Sequence, residues 1–111
     1  MNTGTKISQY YESIEFNVTT GTTDYNVDTQ QSDFMTNFKS ASADSDYATH
    51  LEVSTDQTIS IKLNETTNHA RTITSTESPT KISGLAIRNI FITNNSGNTA
   101  AVKLWLQANP N

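Results

Sequence analysis

The chain has no cysteine, only two prolines and four glycines, and a single tryptophan in 111 residues. Without thiols, neither disulfides nor thiolate metal sites can hold it together. Basic residues are also scarce: seven Lys and Arg face eleven Asp and Glu, for a net charge of −4. The seven are dispersed along the chain, which excludes a phosphate-backbone footprint, so no nucleic-acid partner is expected. No apolar run approaches the roughly 20 residues of a membrane-spanning helix, and no membrane partner is expected. The opening residues Met1 to Ile7 lack the apolar centre of a secretory signal. The expectation is a chain that stays in the compartment where it is made, or leaves it within an assembly. No glycine-rich phosphate loop and no nucleophile elbow occurs. The chain is therefore not expected to be an enzyme, and no cofactor is expected.

What the sequence does hold is threonine, serine and asparagine, at 19, 12 and 12 residues. The branched Cβ of Thr suits a pleated strand, and Ser and Asn favour turns. A polar chain of this kind could be disordered. Its apolar residues, however, are clustered and alternate, as strands require. The length allows one core. Residues 1–9 are expected to form an N-terminal arm or first edge strand, and 10–111 a single β-sandwich domain.

Within that domain Ile14, Phe16 and Val18 share one face of a strand from Tyr10, and Tyr25 and Val27 face inward on a second strand, Asp24 to Asp28. A turn at Thr19 to Thr23 predicts that these two form a hairpin. Phe34, Met35 and Phe38 fall on one side of a short helical turn, with Ser32 or Asp33 as N-cap, read as a plug at one end of the sandwich. Leu51 and Val53, then Ile59, Ile61 and Leu63, then Ile73 mark three further strands, and Pro79 points to a sheet edge or loop. From Lys81 the chain is richest in large aliphatics. Leu85 and Ile87 are odd, Ile90 and Ile92 even, so a bulge or corner near Arg88-Asn89 is predicted. Val102, Leu104 and Leu106 alternate after the turn Asn94 to Asn98, and the two strands read as a closing hairpin. Seven or eight short strands with one helical turn imply an all-β antiparallel sandwich, jelly-roll or Ig-like.

Three constellations are candidates for chemistry. His50 and Glu52 share a strand face opposite Leu51 and Val53, so they point to solvent, and two groups without a third make a poor metal site. Asp44 and Asp46 have the spacing of calcium ligands but no loop motif follows. The N-x-Ser/Thr triplets at Asn17, Asn64 and Asn94 arise readily in such a composition. The stronger signal is a surface one. If Thr93 pairs with Thr99, Phe91 lies opposite Ala101 and Ile87 opposite Trp105, so both faces of the closing hairpin are apolar. Such a hairpin must be covered on both sides. Either the N-terminal arm or Tyr10 and Tyr11 cover it, or it is a subunit interface built from Phe91, Ala101, Trp105, Tyr10 and Tyr11, where aromatics are enriched.

The run Lys81-Ile82-Ser83-Gly84-Leu85-Ala86-Ile87-Arg88-Asn89-Ile90-Phe91-Ile92-Thr93-Asn94 with Asn95-Ser96-Gly97-Asn98-Thr99-Ala100-Ala101-Val102-Lys103-Leu104-Trp105-Leu106 resembles the closing hairpin of small β-sandwich virion structural proteins of tailed bacteriophages. It covers about a quarter of the chain. The resemblance implies a capsid decoration or cement protein, a fibre or tail component, or an adaptor. The first is the expectation: a protein made in the host cytoplasm that forms a homo-oligomer, such as a trimer, bound to a major capsid or tail protein in the virion. The alternative is a carbohydrate- or receptor-binding fibre module in which Trp105, Tyr10 or Tyr11 stacks on sugars. A hydrolase built on His50 and Glu52 ranks last.

Overall fold

In a computed structural model the described residues are 10–41, 47–77 and 79–108, without the side chains of 10, 11, 39–41, 77, 84 and 85. The arm over 1–9 and the pair Asp44 and Asp46 lie outside them. Eight strands form: β1 (Tyr10–Val18), β2 (Thr22–Asn26), β3 (Ala48–Thr55), β4 (Ile59–Leu63), β5 (Arg71–Ile73), β6 (Thr80–Ile87), β7 (Ile90–Asn94) and β8 (Ala100–Ala108). Two helices, α1 (Val27–Gln30) and α2 (Phe34–Ala41), lie between β2 and β3.

The strands make two antiparallel four-stranded sheets, ordered β1-β8-β3-β6 and β2-β7-β4-β5. Pairing β1 with β8, β2 with β7, β3 with β6 and β4 with β5 is what results when one long antiparallel hairpin is rolled into two layers. Of the two architectures the sequence left open, this is the jelly roll. The inward residues are those that alternation selects. Val18, Leu51, Val53, Ile61, Ile73, Ile90, Ile92, Leu104 and Leu106 are all buried in one core.

Both expected hairpins are corrected. β1 and β2 belong to different sheets, and Phe16 meets Tyr25 across the layers, ring centroids 5.5 Å apart and 13° from parallel. β7 and β8 are likewise split between sheets. Alternation tells which face is inward, and an inward face is satisfied as well by a strand opposite as by a strand alongside. The second expected strand also ends early, since Val27 opens α1, where it is still fully buried.

The predicted helical plug is present as α2, with Met35 and Phe38 buried and Phe34 packed against the core. Asp33 accepts the first helical bond through its carbonyl, from Asn37 N at 2.8 Å. The side-chain cap is neither Ser32 nor Asp33, both of which have positive φ. Asp28 supplies it, accepting from the N–H and the hydroxyl of Thr36, each at 2.9 Å. The preceding turn of helix folds back to cap the next, a long-range form of N-capping.

The corner expected near Arg88-Asn89 is where the chain leaves β6 and enters β7 in the other sheet. Asn64, at φ +74°, fastens it: its carbonyl oxygen accepts Arg88 N at 2.6 Å and Asn89 N at 3.3 Å, and its amide donates to Ala86 O at 2.9 Å. Asn94 does the same at the β7–β8 crossover. It continues the inward series of Ile90 and Ile92, is fully buried, and donates to Val18 O at 2.8 Å and Asn98 O at 2.9 Å while accepting from Ser96 N at 3.0 Å. Replacing Asn94 with Ala removes the amide donor to Val18 O and the acceptor for Ser96 N, while Asn98 O keeps the Ser96 hydroxyl at 2.9 Å. We expect Asn94→Ala to lower unfolding stability by about 2 kcal/mol or more, against little change for Asn98→Ala at the exposed loop. Urea unfolding of the two variants checks this, and an unchanged Asn94→Ala midpoint would refute the corner role.

Candidate functional site

The outer faces of the two sheets are set by the registers. On the β1-β8-β3-β6 sheet, Ser13, Trp105, Glu52 and Lys81 lie side by side in one row across the strands. Tyr11, Gln107, His50 and Ser83 form the row on one side, and Glu15, Lys103 and Ser54 the row on the other. Trp105 is thus the central aromatic of a polar sheet face, and it is half-buried. It borders a small hollow of about 160 Å³ with Glu52, Ser54, Pro79 and Lys103. A larger hollow of about 450 Å³ adjoins it, sharing Ser54 and Lys103 and extending to Glu15, Asn17, Asp56 and Ala101. Lys103 reaches Glu15 at 3.8 Å, a pair exposed enough to contribute little to stability.

Phe91 is elsewhere. It lies on the outer face of the other sheet, between Asn26 of β2 and Lys62 of β4. Lys62 extends its ammonium to Asp24, 3.1 Å away. The expected pairs of Phe91 with Ala101 and of Ile87 with Trp105 are therefore corrected. Ala101 pairs with Asn17, Ile87 with Ala48, and Trp105 with Ser13 and Glu52. The apparent two-faced hairpin came from drawing strands of opposite sheets as neighbours. Trp105 and Ala101 share one face, Phe91 belongs to the opposite one, and the side chains of Tyr10 and Tyr11 lie outside the described residues.

His50 and Glu52 do share the outer face of β3, Nε2 to Oε2 at 3.8 Å, each roughly a third exposed or less. Among the described residues no group of three His, Asp or Glu side chains gathers to hold a metal. Of the three asparagine triplets, Asn94 and Asn64 are the corner fasteners already described, so their side-chain amides are committed to the backbone. Asn17 is exposed on β1.

One feature escaped the sequence reading. At the β5–β6 edge a cleft of about 520 Å³ opens between the sheets, floored by Ile61, Leu63 and Ile82 and rimmed by His69, Arg71 and Arg88. Arg71 and Arg88 are the chain's two arginines. They are 17 positions apart, on β5 and at the β6–β7 corner, and no sequence pattern joins them. Their being the only arginines was the available signal.

No family model, no curated protein and no solved structure matches the chain. Because Phe91 and Trp105 occupy outer faces of sheets about 10 Å apart, their substitutions should act independently. A double-mutant cycle of Phe91→Ala and Trp105→Ala should give a coupling in unfolding free energy within about 0.5 kcal/mol of zero. A larger coupling would mean that the two rings touch, as the hairpin arrangement required.

Proposed function

We propose that the chain is a virion structural protein of the capsid-decoration kind, which meets its shell or its own copies through the Trp105 face of the β1-β8-β3-β6 sheet. The observation that carries this reading is the jelly-roll strand order, an architecture that viral shell proteins and lectins use. It is a fold-level analogy, joined to the resemblance of the Lys81–Leu106 run to phage virion proteins. The Trp105 face supplies the contact: an aromatic anchor with Ser13 and Glu52 alongside it and Lys81, Lys103 and Glu15 around them is arranged like an interface centre with a polar rim.

Magnitudes limit how that face is used. Four strands about 4.8 Å apart and eight or nine residues long present roughly 500 Å² of projected area. A standard stable interface takes about 800 Å² per partner, so a lasting contact must also enlist loops at the sheet's ends. A second reading uses the same face alone. Trp105 beside hollows lined by Glu52, Asp56, Asn17 and Lys103 has the composition of a sugar platform, one ring to stack and several groups to bond hydroxyls. That is the carbohydrate-binding fibre or tail module.

Analytical ultracentrifugation separates the readings. Under the decoration reading the protein self-associates, or co-sediments with shells assembled from its cognate major capsid protein. Trp105→Ala then weakens that association by about 2 kcal/mol or more while the monomer still folds. A strict monomer that also fails to bind the shell overturns it. Under the sugar reading, association is unaffected by Trp105→Ala, and a soluble quencher still reaches Trp105 in the assembled particle.

A further inference from the structure

The β5–β6 cleft differs in kind from the Trp105 face. The hollows of that face mix Glu15, Glu52 and Asp56 with one lysine. Among the described residues, none of the nine that line the cleft is acidic, in a chain whose acids outnumber its bases eleven to seven. Both arginines and one of the two histidines are gathered there. Beneath them the floor is hydrocarbon, since Ile61 and Ile82 are core residues that form part of the cleft's surface and Leu63 packs against the same core.

The walls are fixed by bonds that do not involve a ligand. Asn64 is committed to Ala86, Arg88 and Asn89 of the corner, and Asn68 donates its amide to Leu63 O at 2.8 Å. Arg88 lies over the Tyr47 ring, its guanidinium carbon 5.2 Å from the centroid, which orients the planar fork. A volume of about 520 Å³ is within the ordinary range for a small-molecule site, and so is the pattern of apolar lining with a few convergent polar groups. Guanidinium forks match the geometry of carboxylate and phosphate oxygens.

We propose that this cleft binds a small amphiphilic anion, its apolar body on Ile61, Leu63 and Ile82 and its oxyanion head against Arg71 and Arg88. The site is separate from the Trp105 face, and the inference does not depend on the virion reading. Both halves of the ligand are required. A head alone gains only exposed, salt-screened contacts, and a neutral apolar body gains none of the charge-assisted hydrogen bonds that a guanidinium gives an oxyanion.

The test is titration of the full chain, monitored by heteronuclear NMR, with octanoate, octyl phosphate, octanol and acetate, all below micelle-forming concentrations. Octanoate or octyl phosphate should shift the methyl signals of Ile61, Leu63 and Ile82 saturably, and the preferred head distinguishes a carboxylate from a phosphate ligand. Octanol and acetate should bind at least tenfold more weakly, and Arg71→Gln and Arg88→Gln should each weaken the anion by about tenfold, the worth of one charge-assisted hydrogen bond. Arg71 is exposed on a short edge strand, so Arg71→Gln keeps the test valid if Arg88→Gln disturbs the corner. Absence of saturable shifts at millimolar anion would overturn the proposal. So would octanol binding as well as octanoate, or an affinity unchanged in Arg71→Gln.

Discussion

The structure depends on finding partners for the backbone where it crosses from one sheet to the other. Of the seven connections between strands, only β4 to β5 stays within its sheet. Each crossing interrupts two ladders and leaves N–H and C=O groups at a half-buried corner, where an unpaired group is costly. Without disulfides, and with only two prolines to stiffen loops, the chain meets this with short amides and hydroxyls. Asn94 and Asn64 serve the β7–β8 and β6–β7 corners. Asp56 accepts Ala101 N at 2.8 Å, tying the β3–β4 crossing to the start of β8, and Thr55 donates to Gln57 O at 2.8 Å within it. Thr20 accepts Gly97 N at 2.9 Å, joining the β1–β2 and β7–β8 loops. The excess of Asn and Thr is thus in good part the chemistry of corners.

That cause explains which parts of the fold could be read from the sequence. Period two identified the inward residues of nearly every strand, because burial of a face is a local consequence of alternation. The corner at Arg88-Asn89 was legible for the same reason: the inward parity changes between Ile87 and Ile90, both fully buried, whereas the β3–β4 and β7–β8 crossings keep their parity and left no such mark. Strand partners were not legible. Phe16 opposite Tyr25, and Trp105 beside Glu52, are set by contacts 9 and 53 positions apart along the chain, and a period carries no information about such distances. The cap of α2 was misread on similar grounds, since Asp28 reaches Thr36 only because α1 folds back on α2.

The same limit governed the functional surfaces. Trp105 was singled out correctly as an outward aromatic, while its association with Phe91 depended on strand pairing and did not survive it. Losing Phe91 changes the character of the surface from a dry, two-sided apolar ribbon to a polar sheet face with one aromatic anchor. A ribbon of the first kind would have to be covered for the chain to be soluble at all. A face of the second kind is stable in water uncovered, so a partner's occupancy of it can be reversible and selective.

The cleft follows from how the jelly roll ends its sheets. Sheet edges invite pairing with other chains, and short edge strands are one way of blunting them. β5 is an edge strand of three residues beside a five-residue β4, with only Ile73 buried in the core. Opposite it the edge strand β6 runs for eight residues. The two layers are therefore unequal at this side: β5 pairs with β4 only as far as Ile61, opposite Arg71, and beyond it no described strand lies on that side of β4 to close the gap over Leu63. The connection 64–70 cannot fill that gap, because it consists of Asn64, exposed polar residues and one alanine. An apolar floor with a cationic rim is what remains when an edge is shortened over a core that continues beneath it, and its two arginines are placed by β5 and by the corner that Asn64 holds.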